Sequence, residues 1–138
     1  MENIKDLVKT FYTECLTVNN RSNPVDIMNK LLADDFKSVN AQETKTKQAL
    51  IGQIGFFWKF VPDLKWIPQE ILQEGNKVIV RSKFSGSPSG EFMGLVLDGS
   101  KSFETMSIDI HTVENGQIKM VYHLEEWPTA IAQLKSNN

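Results

Sequence analysis

The feature that most limits what this chain can fold into is the pair of alternating runs on either side of Glu114-Asn115-Gly116. Residues 103 to 113 and 117 to 126 switch between apolar and polar side chains step by step, and a period of two belongs to strands with one packed face. A three-residue loop whose Gly takes the left-handed position of a bulge predicts a hairpin. With Val113 opposite Gln117 and Thr112 opposite Ile118, the two faces separate. One carries Met106, Ile108, Ile110 and Thr112 beside Ile118, Met120, Tyr122 and Leu124. The other gathers Thr105, Ser107, Asp109 and His111 with Lys119, His123 and Glu125, which brings together both histidines of the chain. A two-residue turn at Asn115-Gly116 would mix the sets, so the longer loop is the expected one.

Two meanings of that polar face stay open at this level. Antiparallel sheets commonly pack one side and wet the other, which makes the face solvent-exposed. Alternatively the sheet curls over helices, its polar side lining a pocket and its apolar side meeting a second subunit. A histidine near carboxylates in a partly dry cavity has what proton transfer needs, because small environmental changes bring its pKa to the working pH.

The first half of the chain has a different period. Ile4, Leu7, Val8, Phe11, Tyr12, Cys15 and Leu16 share one face of a helix, and Asn19 to Pro24 break it. Pro24 suits the first turn of a second helix, with Val25, Met28, Leu31 and Leu32, ending near Asp34-Asp35. A third helix is expected from about Thr44–Thr46 to Phe60, closed by Pro62. Residues 65 to 73 and 77 to 85 then read as a hairpin around Glu74-Gly75-Asn76, and Trp127-Pro128 opens a short last helix with Ala130, Ile131 and Leu134. Three helices followed by a meandering antiparallel sheet make an α+β pattern, and no repeat, linker or low-complexity tract divides residues 1–138.

Charge and cysteine content narrow the class. A net charge of −2 with dispersed lysines lacks the footprint of a nucleic-acid binder. The charged start and the absence of an apolar run near the roughly 18 residues of a membrane span argue against export and insertion. A single Cys15 gives no disulfide framework, so the expected compartment is the cytoplasm.

Several segments in order resemble the SnoaL-like polyketide cyclases of the NTF2-like superfamily. They are Leu7-Val8-Lys9-Thr10-Phe11-Tyr12, Val61-Pro62-Asp63-Leu64, Glu74 to Arg81, Gly90-Glu91-Phe92-Met93-Gly94, and Ile108-Asp109-Ile110-His111 leading to Glu114-Asn115-Gly116-Gln117-Ile118. The resemblance implies one domain over 1–138. The implied fold is a cone in which N-terminal helices pack in the concave side of a strongly curved, mainly antiparallel sheet, with an apolar cavity and commonly a dimer through sheet surfaces. It also implies acid/base chemistry without metal or organic cofactor, such as an intramolecular aldol closure. His111 falls at a common family histidine position. His123, Glu125 and Glu126 occupy the segment where relatives usually carry an aspartate, and Pro88 stands where relatives often carry histidine; these departures leave the general base and the cyclase activity unassigned.

The candidate site follows from the polar face. Glu125 or His123 would take a proton next to a carbonyl, with the other, or His111 or Asp109, orienting it or supplying a proton to the developing oxyanion. Phe11, Tyr12, Trp58 and Trp66 are candidates for an apolar wall around a hydrophobic small molecule. The rival from another class is a non-catalytic ligand-binding or dimerisation module on the same fold.

Overall fold

The computed structural model describes residues 3–136. Asn3 caps the first helix, α1 (Ile4–Thr10), by accepting from the backbone N–H groups of Lys5 and Asp6. The helix then widens into a π-helical turn over Phe11–Cys15. The apolar series 7-11-15 and 8-12-16 advances in fours, which outruns 3.6 residues per turn. An i→i+5 turn takes up the surplus and keeps Phe11, Tyr12, Cys15 and Leu16 all buried. A uniform α-helix was the expectation from spacing; the widening is where it departs.

Asn23 caps α2 (Pro24–Leu31), with Pro24 in its first turn. Its far end is held by Lys47 Nζ, which donates to the carbonyls of Asn29 and Leu32 at 3.0 Å each. The chain turns at once into β1 (Leu32–Val39), so the expected continuation of the helix to Asp34-Asp35 is replaced by a strand. β1 pairs antiparallel with β2 (Thr44–Thr46) and parallel with a distant strand over Ile118–Tyr122. After β2 comes α3 (Lys47–Phe60), capped by Thr46.

The remaining strands are β3 (Lys65–Glu74), β4 (Lys77–Gly86), the small hairpin β5 (Ser89–Phe92) and β6 (Leu95–Asp98), β7 (Phe103–Glu114) and β8 (Gln117–Glu125), before α4 (Trp127–Lys135). The main sheet runs β2-β1-β8-β7-β4-β3 and is antiparallel except at β1–β8. The β5–β6 hairpin, absent from the sequence reading, turns through Met93 and Gly94, both at positive φ, and stacks Phe92 on Phe56 of α3. Bulges in β3 near Pro68–Glu70 and in β8 interrupt the ladders, and such extra residues bend a strand.

The β7–β8 turn corrects the expected register. Glu114 pairs with Gln117, so the loop is the two residues Asn115 and Gly116, at φ 54 and 75. Lys119 is an extra residue between the Thr112–Met120 and Val113–Ile118 pairs. That bulge restores the alternation that a two-residue turn would have mixed. It also moves two side chains across: Ile118 is buried in the core, while Lys119 reaches outward to Asp35 Oδ2 at 2.6 Å.

Candidate active site

β7 dictates the site. Its inward side chains, Thr105, Ser107, Asp109, His111 and Val113, are all buried, while Met106, Ile108 and Ile110 are 38–43% exposed on the opposite face. The polar face of the hairpin is therefore the covered one, and the wet-face alternative fails. Burying a polar row is unfavourable unless each group finds a partner. Thr105 Oγ1 donates to the Glu126 carbonyl, and Ser107 Oγ accepts from Trp66 Nε1 at 2.8 Å. The Tyr12 hydroxyl, carried inward by the π turn, donates to Asp109 Oδ2 at 2.6 Å and lies 2.7 Å from His111 Nε2.

β8 adds a second, less buried layer. His123 pairs with Asp109 across the strands, and Glu125 with Ser107. His123 Nδ1 stands 3.4 Å from Glu125 Oε2, whose position is fixed by a 3.0 Å bond from Trp127 Nε1. Asn40, in the loop after β1, approaches His123 Nε2 at 3.4 Å.

These surroundings separate the four titratable groups. Burial pushes the Asp109 carboxyl up to about 7, with the nearby Glu125 adding and the Tyr12 hydrogen bond opposing. Burial also pulls His111 down to about 3, helped by the neighbouring His123, so its imidazole is neutral at physiological pH. His123 moves the other way, raised by its hydrogen bond to Glu125. Tyr12, sealed in and beside Asp109, is held well above the ordinary phenol range. Groups whose environments drive their pKa values apart are the pattern of an acid/base site.

A cavity of about 40 Å³ opens between this polar wall and α3. Phe11, Leu50, Ile54, Phe57 and Trp66 supply its apolar side, and Asp109, His111, His123 and Glu125 its polar side. In this conformation it has room for water or a fragment; ligand sites for larger molecules run to several hundred Å³.

Of the residues singled out from the sequence, the structure brings Asp109, His111, His123, Glu125, Phe11 and Trp66 to the cavity, with Tyr12 behind the first two. Trp66 also stacks on Phe84 at 4.1 Å, so it is wall and core at once. Trp58 lies elsewhere: its Nε1 donates to the Cys15 carbonyl at 2.8 Å, tying α3 to the end of the π turn. Glu126 points its carbonyl at Thr105 and precedes α4, outside the cavity lining. Among the described residues no cluster of three His, Cys, Asp or Glu is placed to hold a metal ion. Asn40, Gln53, Ser38 and Trp127 were missed. Gln53 alone carried a local signal, a polar side chain between the apolar Leu50, Ile54 and Phe57 of one helix.

A helix-filled six-stranded sheet with a polar row buried against an apolar cavity defines an NTF2-like α+β protein. The chain belongs to the SnoaL-like polyketide cyclase family, whose model matches residues 6–134. Solved structures share the fold. IdmH of Streptomyces antibioticus, a candidate polyketide cyclase, is 23% identical with a TM-score of 0.81, over 98% of this chain and 100% of that one. A candidate SnoaL-like polyketide cyclase of Jannaschia sp. CCS1 is 15% identical with a TM-score of 0.83, over 96% and 92%. AclR of Streptomyces galilaeus, a candidate hydroxylase, is 17% identical with a TM-score of 0.80, over 94% and 93%. No curated protein matches the sequence significantly. No helix among the described residues is long and apolar enough to cross a membrane.

Proposed function

We propose that the protein is a polyketide cyclase-type enzyme that performs acid/base chemistry on a hydrophobic, carbonyl-containing small molecule. The observation that carries the reading is the cross-strand pair of Asp109 and His123 at one cavity wall, a carboxyl raised to about 7 facing an imidazole whose basicity Glu125 enhances. His123, oriented by Glu125, removes a proton from the carbon next to the carbonyl. The resulting enolate attacks a second carbonyl of the same molecule and forms the ring C–C bond. The protonated Asp109 side of the site supplies a proton to the new alkoxide. Exchange with solvent then removes the proton held by His123 and restores that of Asp109, so the step balances with no cofactor.

The exposed apolar face of the sheet supports a homodimer. Ile108, Ile110, Tyr122 and Leu124 line a shallow groove there with Val39 and Ala41. A contiguous apolar patch of this kind on a sheet marks an interface.

A thermal-shift screen against apolar enones, lactones and polyketide-like esters, followed by turnover, tests the enzyme reading. Ligand at about a hundred times its Kd stabilises by about 2.7 kcal/mol. The expected result is binding to wild type and to His123→Ala alike, within several-fold, with turnover in wild type alone. Turnover unchanged by His123→Ala and by Glu125→Gln contradicts the reading, and affinity changes without any turnover favour a binding module.

A further inference from the structure

The Tyr12 hydroxyl lies within hydrogen-bond distance of two acceptor-capable groups, Asp109 Oδ2 at 2.6 Å and His111 Nε2 at 2.7 Å, and it has one hydrogen to give. All three side chains are buried. His111 Nδ1, on the far side of the ring, meets no hydrogen-bond partner among the described residues, and His111 lines the cavity. A buried ring nitrogen left without a partner is unfavourable unless something uses it.

From this geometry we propose that Asp109, Tyr12 and His111 form a proton relay in which the protonation of Asp109 sets which ring nitrogen of His111 carries the hydrogen. It has two self-consistent states. With Asp109 ionised, the hydroxyl donates to the carboxylate, its oxygen accepts from His111 Nε2–H, and Nδ1 is bare. With Asp109 protonated, the carboxyl donates to the Tyr12 oxygen, the hydroxyl donates to Nε2, and Nδ1 carries the hydrogen. The states differ by one proton. When the Nδ1 hydrogen leaves the ring, Nε2 takes the hydroxyl hydrogen and the Tyr12 oxygen takes that of Asp109. A carboxylate remains, and the imidazole is neutral before and after.

The surroundings suit that passage. Burial that holds His111 neutral down to about 3 disfavours a proton resting on the ring as imidazolium, and the carboxyl at the other end exchanges its proton near 7. Neutral imidazole alone is a poor acid; coupled through Tyr12 it delivers the proton of a carboxylic acid. The charged and titratable groups facing Asp109 are His123 and Glu125 of β8, with Tyr12 from the π turn. The first two tune where Asp109 titrates without entering the chain of bonds. In use, the relay rests on the acid/base reading above, where it makes Tyr12 a positioning residue and not a wall for substrate; its existence as a two-state device does not.

Nitrogen-15 NMR of the ligand-free protein, labelled in histidine, tests it without any substrate. The His111 tautomer in wild type is expected to invert, from Nδ1–H well below pH 7 to Nε2–H well above it, with the ring neutral throughout and the midpoint equal to that of the Asp109 carboxyl followed by carbon-13. In Tyr12→Phe the inversion is expected to vanish, and in Asp109→Asn, which keeps an acceptor for the hydroxyl, one tautomer persists at every pH. A single tautomer across the range in wild type overturns the relay, as does an inversion that survives in either variant. Failure of the enzyme reading shows instead as lost turnover differences with this inversion intact.

Discussion

Tyr12 and Asp109 are 97 residues apart in the chain and 2.6 Å apart in the fold, joined by a buried hydrogen bond from hydroxyl to carboxyl oxygen. The bond closes the helical layer onto the sheet at the site itself. Tyr12→Phe leaves both Asp109 and His111 without that partner, and an unsatisfied buried group costs about 1–3 kcal/mol. Urea unfolding at pH 7 is expected to show a loss in that range with an unchanged m-value. A variant as stable as wild type would mean that these groups are satisfied without the hydroxyl.

Asp109 trades stability for poise. Its folded pKa, about 7, stands above the unfolded value near 3.9, so the folded state holds its proton more tightly. This contribution is fully present below the unfolded pKa and is lost as pH rises toward the folded one. Asp109→Asn is therefore expected to match wild type near pH 4 and to exceed it progressively up to pH 7–8, by a difference on the order of 4 kcal/mol at 1.36 kcal/mol per pKa unit. His111, held neutral, contributes with the opposite slope in both proteins and cancels in the difference. Parallel stability curves for the two proteins would contradict the raised carboxyl.

Activity should follow a bell in pH. The proposed step needs His123 neutral and Asp109 protonated, so the rate rises as the raised His123 deprotonates and falls as Asp109 ionises near 7. Because the two groups face each other, the limbs report macroscopic constants of the pair. Asp109→Asn is expected to remove the alkaline limb from whatever activity survives. A profile with both limbs unchanged in that variant would take Asp109 out of the chemistry.

The α3 wall sets what fits. Ile54 is 1% exposed and lines the cavity, and Ile54→Ala removes three carbons from it. Such truncations cost about 2–5 kcal/mol of stability. The same change is expected to tighten binding of bulkier apolar ketones relative to wild type, read by calorimetry. Weaker binding across the whole size series would place the ligand elsewhere.

The outer face of the hairpin makes its own claim. Sedimentation at micromolar concentration is expected to give a dimer for wild type and a monomer for Ile110→Lys, whose side chain is 41% exposed and replaceable without disturbing the core. Identical sedimentation of the two proteins would remove this face from any interface.

The inward polar row of β7 was legible from alternation alone, because a period of two assigns every side chain of a strand to a face. The register was not. A one-residue bulge at Lys119 offsets the shorter turn, so the faces from Met120 to Glu125 come out as expected and only Ile118 and Lys119 change places. β1 escaped because its evidence is non-local: Ala33-Asp34-Asp35 has little strand character, and the pairing that makes it a strand is Lys37 to Val39 with Met120 to Tyr122. Asn40 was invisible for the same reason, since only that parallel pair brings it to His123. Tyr12 was singled out for an apolar wall; the partners of its hydroxyl depend on the π turn, which a uniform helical period concealed.

In the proposed reaction His123 and its neighbours move a proton at carbon. The direct measurement is deuterium incorporation next to the carbonyl of a ligand found by the thermal-shift screen, followed by NMR in D₂O with wild type and His123→Gln. Positioned general bases contribute about 10²–10⁴-fold. Wild type is expected to incorporate deuterium and the variant to lose at least that lower factor with the ligand still bound; equal incorporation by both proteins would take His123 out of the chemistry.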